Sequence, residues 1–259
     1  MQKRWTKTEL ILTMNLYCKL PFGKFHKGTF EVIELAKMID RTPSAVAMKP
    51  SAVAMKLSNL ASLDPFHAER GVKGLSAASK GDREVWAEFH QDWESLGAES
   101  ERLLIQKTSE LTTTHEDNPA IFEGDTESVR LSKVRLGQQF FRNSVLASYD
   151  MSCCVTEIAI PTLLVASHIL PWSDYPNERV NPQNGLCLNS LFDRAFDRGL
   201  ITFDEELKLV FSKQLRDAEP QASIKQHFLP YEGKKLRKPT KFAPIDKFLS
   251  THREKIFVQ

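Results

Sequence analysis

The apolar pattern of this chain changes character near its middle, and that change limits the folds open to it. In the first half the apolar residues recur near helical spacing: Leu10, Ile11, Met14 and Leu16, then Val32, Ile33, Leu35, Ala36 and Ile39, then Val85, Trp86, Phe89 and Trp93. A further amphipathic helix is expected from Arg135 to Tyr149. Beyond it lie short, strand-length runs: Leu163 to Leu170, Leu186 to Leu188, and a hairpin of Ile201–Phe203 with Leu207–Phe211. Cys153 to Thr156 reads as a further strand start, and Asn189 or Ser190 caps a helix that Gly199 ends. The expected class is α+β. A helical domain over residues 1–95 is followed by an acidic linker over 96–128 and a mixed domain over 129–259.

Composition narrows the function. With 259 residues, 41% of them apolar, and 16 Phe and 4 Trp, a sizeable core can be buried, which argues against disorder over the whole length. No apolar run reaches membrane-spanning length. The polar start and four scattered Cys point to a reducing cytoplasm. The net charge of +2 is segregated: residues 94–127 hold nine acidic side chains against two basic, while both ends are basic. That layout fits a nucleic-acid partner, and it also fits many ordinary proteins.

In the first half Thr6 or Thr8 can cap the first helix, and Pro21 and Gly23 end it. The helix ending at Ile39, the turn Asp40–Ser44 and the Ala-rich stretch after it outline a helix-turn-helix, or else a plain helical hairpin. The heptapeptide of residues 43–49 is repeated without change at 50–56. A helix can absorb seven residues with ~20° of drift. Pro50 inside a helix costs ~3 kcal/mol, so a break is expected just before it.

The second half carries the chemistry. His168 sits near a strand end, Asn184 in the turn that starts the next strand, and Asp193 and Asp197 at i and i+4 on the following helix. The two carboxylates share a helix face, and hard oxygen ligands suit Mg²⁺ or Mn²⁺. A neutral imidazole can accept a proton near pH 7. Each element alone has a plainer reading: a structural His, an ordinary Asn-Gly turn, and a helix face on which Arg194 and Arg198 pair with the two Asp. Cys153, Cys154 and Cys187 read as strand packing, because no two close pairs provide zinc spacing.

The string Cys154-Val-Thr, Leu164-Val-Ala-Ser-His-Ile-Leu-Pro-Trp172, Arg179, Asn184-Gly-Leu-Cys-Leu-Asn and Phe192-Asp-Arg-Ala-Phe-Asp-Arg-Gly199 resembles the HNH endonuclease family, densely over about residues 130–211. The branch it is most similar to includes restriction endonucleases. Stretches near Leu20, Arg41 and Asn59 resemble the helical domain that often precedes such modules. The resemblance implies a ββα-metal nuclease domain, with His168 as general base, Asn184 holding the loop that orients it, and Asp193 and Asp197 as metal ligands. Many relatives place Asp or His immediately before the base. Here Ser167 stands there, a weak ligand, which leaves the metal and its ligand set open.

Arg179 is expected to contact phosphate, and a surface pairing with Glu178 or Asp174 is its plainer reading. The basic cluster of Lys234, Lys235, Arg237, Lys238 and Lys241 reads as a solvated loop or as a track for the DNA backbone, and the second reading places Gln138 and Arg142 along the same backbone. The implied activity is hydrolysis of DNA phosphodiesters in a restriction or defence role. A homodimer is the expectation for double-strand cutting, although no heptads mark one. The rival reading is a DNA-binding regulator or inactive scaffold, kept alive by Ser167. Glycoside hydrolysis by Asp193 and Asp197 is disfavoured by their place on one helical turn between arginines.

Overall fold

The first helix, α1 (Lys7–Lys19), starts where Thr6 and Glu9 form a reciprocal capping box: the Thr6 hydroxyl accepts from the Glu9 N–H and the Glu9 carboxylate accepts from the Thr6 N–H. A computed structural model of the chain describes residues 4–41, 52–69, 78–112 and 126–258. These fall into two compact units, residues 1–144 and 145–259.

The first unit is helical. After α1 come α2 (Phe30–Met38), α3 (Ala52–Ala61), the short α4 (Pro65–Glu69), α5 (Lys80–Gln91), α6 (Trp93–Thr112) and α7 (Thr126–Ser148), the last crossing the boundary at its end. The α1 helix packs against α2, α3, α5 and α6. Leu12, Met14 and Tyr17 of α1, Leu57 of α3 and Phe89 of α5 are fully buried, the outcome expected of helices with an apolar stripe. Buried ion pairs lie between the helices. Arg41 donates to Glu9 at 2.8 Å, Lys56 to Asp82 at 2.5 Å and Lys19 to Glu101 at 2.7 Å. Removing one partner of such a pair is costly, because it leaves an uncompensated buried charge.

Two expectations need correction here. The stretch 96–112 is not a solvated linker, because it forms most of α6. Ser100 and Glu101 face α1, where both accept from the Asn15 amide. The remainder of that expected linker, residues 113–125, lies outside the described residues. The second helix of the expected helix-turn-helix is also not an open reading face where it is described. Within α3 only Met55 is exposed, and Lys56 is spent on Asp82. The first heptapeptide copy and Pro50 lie outside the described residues, and α3 begins at Ala52.

The second unit holds two small antiparallel sheets. The strand β1 (Leu164–His168) pairs with β2 (Gly185–Asn189) in a register that sets Ser167 opposite Leu186 and His168 opposite Gly185. The helix α8 (Ser190–Asp197) follows directly and packs on both strands. Asn189 caps it, accepting from the Leu191 and Phe192 N–H groups. Gly199, at φ +67°, turns the chain out of it. The hairpin β3 (Ile201–Phe203) with β4 (Leu209–Phe211) comes next, then α9 (Lys213–Asp217), α10 (Ala222–His227) and α11 (Asp246–Lys255). Phe192, Phe196, Phe203 and Phe211 form the aromatic heart of this unit.

Cys153 to Thr156 forms a turn, not the expected strand. The Cys153 thiol accepts from the Thr156 and Asn189 N–H groups, which ties the turn to the end of β2. All four cysteines are buried. Among the described residues no three or more His, Cys, Asp or Glu side chains gather as metal ligands, and no helix is long and apolar enough to cross a membrane.

Candidate active site

The loop between β1 and β2 runs from residue 169 to 184 and would be free to wander without an internal tie. Asn184 is that tie. Its side chain is buried at 1% exposure; its Oδ1 accepts from the Leu170 N–H at 2.8 Å, and its Nδ2 donates to the Glu178 carbonyl at 3.0 Å and the Leu170 carbonyl at 3.3 Å. Both ends of the loop are thereby held at one amide.

The next carbonyl along, that of Arg179, lies 2.8 Å from Nε2 of His168. A carbonyl can only accept, so Nε2 carries the proton and Nδ1 is the unprotonated nitrogen. Burial pushes the His168 pKa below its ordinary value, against the opposing pull of the Arg179 carbonyl, which favours the charged form. The ring meets Trp172 edge-on at 5.5 Å. The geometry thus leaves a neutral imidazole of fixed tautomer at neutral pH.

His168, Ser167, Asp193 and Asp197 line one cavity of about 420 Å³. Arg194, Arg198 and Trp172 line it as well, and His252 and Ile256 contribute from the far end of the chain. Asp193 is half-buried, and Asp197 lies one turn on, at the rim. Partial burial raises the pKa of both carboxyls; for Asp197 the next cause is repulsion from Asp193. The Ser167 hydroxyl and the Arg194 charge pull Asp193 back down, and the Arg194 and Arg198 charges do the same for Asp197.

Ser167 is 2% exposed, and its hydroxyl makes no hydrogen bond of good geometry, although it faces Asp193 closely enough to favour the carboxylate. A buried hydroxyl beside two carboxyls whose ionisation burial disfavours is an oxygen donor set that a cation would complete. An ion of the Mg²⁺ kind is held by one or two carboxylates and takes the rest of its shell from water and phosphate. The residues present fit such an ion, whereas a structural zinc cage would need more ligands.

The other sequence candidates are distributed differently. Arg179 does not pair with Glu178 or Asp174: its Nε donates to the Trp172 carbonyl at 2.7 Å and its guanidinium lies over the Trp172 ring at 5.1 Å. Lys234 and Lys235 are exposed; the Lys234 ammonium sits 4.8 Å from the Tyr231 ring centre, and Lys235 forms a backbone bridge with Lys208. Two members of that basic cluster are corrected. Arg237 is turned inward, donating to the Tyr149 carbonyl, and Lys241 is fully buried. The chain here folds back onto Ser148 and Cys154 through backbone hydrogen bonds, which carries those two side chains inside. Gln138 and Arg142 lie on α7 within the first unit, outside the unit that carries the cavity.

Sequence reasoning missed the cavity contributions of Trp172, His252 and Ile256. The edge-on approach of Trp172 to His168 had a local signal, four residues along the same string. His252 stands in a tail that resembles the same family branch, but nothing local placed it or Ile256 at the cavity, because only the return of α11 brings them near. Arg194 and Arg198 were visible as neighbours of the two acids, but as ion-pair partners.

Residues 153–204 match the family model HNH_2, described as HNH endonuclease. No curated protein matches the chain. The matched segment spans the Cys153 turn, both strands of the first sheet, α8 and β3, which is the frame that holds the imidazole and the two carboxyls. Over that segment the chain is similar to the HNH endonuclease family.

Proposed function

We propose that the second unit hydrolyses DNA phosphodiester bonds with the help of a divalent metal ion, Mg²⁺ or Mn²⁺. One observation carries the reading: a neutral imidazole of fixed tautomer lines the same cavity as two carboxyls and a buried hydroxyl. His168 acts as general base. Its Nε2–H is committed to the Arg179 carbonyl, so Nδ1 takes the proton from the water that attacks phosphorus. Asn184 keeps that carbonyl in place through the Glu178 peptide. Asp193, Asp197 and Ser167 would hold the cation, which when bound supplies charge stabilisation at the phosphate and at the departing oxygen. Trp172 and Ile256 wall the cavity.

The phosphate stays on one product end. Restriction of foreign DNA is the role we assign to this activity on family grounds, with Lys234 and Lys235 offering backbone charge outside the cavity. The rival, an inactive DNA-binding scaffold, draws on Ser167 and on the lack of a third acidic or imidazole ligand among the described residues. The test is nicking of supercoiled plasmid with Mg²⁺ or Mn²⁺ beside His168→Ala. The proposal expects nicking that EDTA abolishes and that the variant loses by about 100-fold or more, the range typical of a lost general base. Equal nicking by both proteins overturns the assignment of the base; no nicking with any divalent ion favours the scaffold.

A further inference from the structure

The α8 helix and the residue after it carry four charges, Asp193, Arg194, Asp197 and Arg198, in an order that is poor for a free helix. Residues four apart face one another, so the helix stacks acid on acid and base on base, and each like pair is destabilising. The order offers one relieving pair, Arg194 with Asp197 at i and i+3, and the helix does not make it. Among the described residues, neither Arg194 nor Arg198 forms an ion pair or a side-chain hydrogen bond. Elsewhere the same spacing is used readily, as in Lys37 with Glu34, Arg102 with Glu99 and Lys107 with Glu110. Both arginines line the cavity that holds His168.

Successive residues point about 100° apart around a helix, so the helix presents two parallel stripes. One is acidic and the other basic. An acidic stripe alone would suit a cation, and a basic stripe alone an anion. A phosphodiester strand with its divalent ion presents both at once, the ion to the acids and the flanking phosphates to the guanidiniums. Arginine suits the second task, because its planar fork matches phosphate oxygens two at a time.

We propose that Arg194 and Arg198 clamp the phosphates on either side of the scissile one, fixing the DNA strand along α8 while Asp193 and Asp197 hold the ion. The inference rests on the nuclease reading above and adds strand-binding residues to it. Neither arginine takes or gives a proton; each anchors one neighbouring phosphate. The unmade Arg194–Asp197 pair is what leaves the guanidiniums available.

The test measures binding and not cleavage. In the full-length His168→Ala protein, with Mg²⁺ present, affinity for a fluorescent duplex is followed by anisotropy across a range of KCl concentrations. Each phosphate that is no longer neutralised lowers the slope of log affinity against log salt by about 0.9. Arg194→Gln and Arg198→Gln should each show that decrease, and the double variant about 1.8. The double Arg→Lys variant should keep the slope, because the charge is retained, and bind more weakly. An unchanged slope in the double Gln variant, with an unchanged melting temperature, overturns the clamp. If the wild type nicks plasmid while that slope stands unmoved, only the clamp falls. If the wild type neither nicks plasmid nor binds duplex, the nuclease reading falls and takes the clamp with it.

Discussion

Acid should loosen the second unit through His252, and the size of the effect follows from where that ring sits. It is 1% exposed and stacks on Phe196 with ring centres 3.8 Å apart and planes 2° from parallel. Its Nε2 lies 3.2 Å from the Phe196 carbonyl and its Nδ1 3.0 Å from the Thr202 hydroxyl. The carbonyl accepts, so Nε2 carries the proton and Nδ1 accepts from Thr202. A second proton would force the Thr202 hydroxyl to turn, and it would bury a charge beside Arg253. Burial is the larger cause, and it brings the His252 pKa down to about 4. In the unfolded chain the group titrates near 6.5. Between those values the unfolded state binds a proton that the folded state refuses. Stability is therefore complete above about pH 6.5 and is lost as pH falls toward 4, by about 3 kcal/mol in all. The assay is urea unfolding at half-unit steps from about pH 7.5 to 4.5, for wild type and for His252→Phe. The variant keeps an aromatic ring against Phe196 and cannot titrate. It should be less stable at neutral pH, through two missing hydrogen bonds, yet it should lack the His252 part of the acid slope. Parallel curves for the two proteins, or an imidazole resonance of His252 that titrates at the ordinary value in the folded state, would refute the reasoning.

The remaining predictions concern packing, buried charge and the candidate metal. A Cβ on Gly199 would lie 2.0 Å from the Ile256 carbonyl oxygen, and the residue holds φ +67°, so Gly199→Ala should cost about 2–4 kcal/mol in unfolding free energy. A variant within about 0.5 kcal/mol of wild type would show that the tail yields freely. Asp82 is fully buried and is the ion-pair partner of Lys56, so Asp82→Ala strands an ammonium in the first unit and should cost about 3–5 kcal/mol, measured by denaturant unfolding. Because burial raises the Asp193 and Asp197 pKa values in the fold, with repulsion from Asp193 adding to the rise at Asp197, their contribution to stability is present in acid and is lost as pH rises through the folded values. A cation offsets that loss, so Mg²⁺ should raise the melting temperature more at neutral pH than in mild acid. Asp193→Asn with Asp197→Asn should erase the difference, and an undiminished shift in that double variant would place the ion elsewhere.

Several features of this molecule were legible before any coordinates, and they share a cause: each is decided within a few residues. Of the caps the sequence offered, Thr6 and not Thr8 starts α1 and Asn189 and not Ser190 starts α8, and Gly199 ends it, all through hydrogen bonds or dihedral preferences that span one helical turn. The i, i+4 placement of Asp193 and Asp197 is likewise a property of any helix. The string around His168 could be read because its elements follow one another directly, strand, loop, strand and helix, and the loop is closed by its own Asn184.

What the sequence left open depends on segments that meet across long separations. Nothing near His252 tells that α11 returns to stack it on Phe196, 56 residues away, or that Ile256 will wall the cavity. Arg237 and Lys241 look like solvated cations in a basic stretch, and only the return of that stretch to Ser148 and Cys154 carries them inward. The acidic composition of residues 94–127 suggests a linker, yet Ser100 and Glu101 are held by Asn15 and Lys19 on α1, so hydrogen bonds and an ion pair outweigh local composition. The pairing of Arg194 and Arg198 is a subtler case. Spacing permits an ion pair with Asp197, and only the packed helix reveals that it is not made. Local chemistry sets caps, turns and helix faces, because those interactions are complete within one turn. Burial, and with it every shifted pKa and every side chain diverted from solvent, is a sum over neighbours that the chain order does not list.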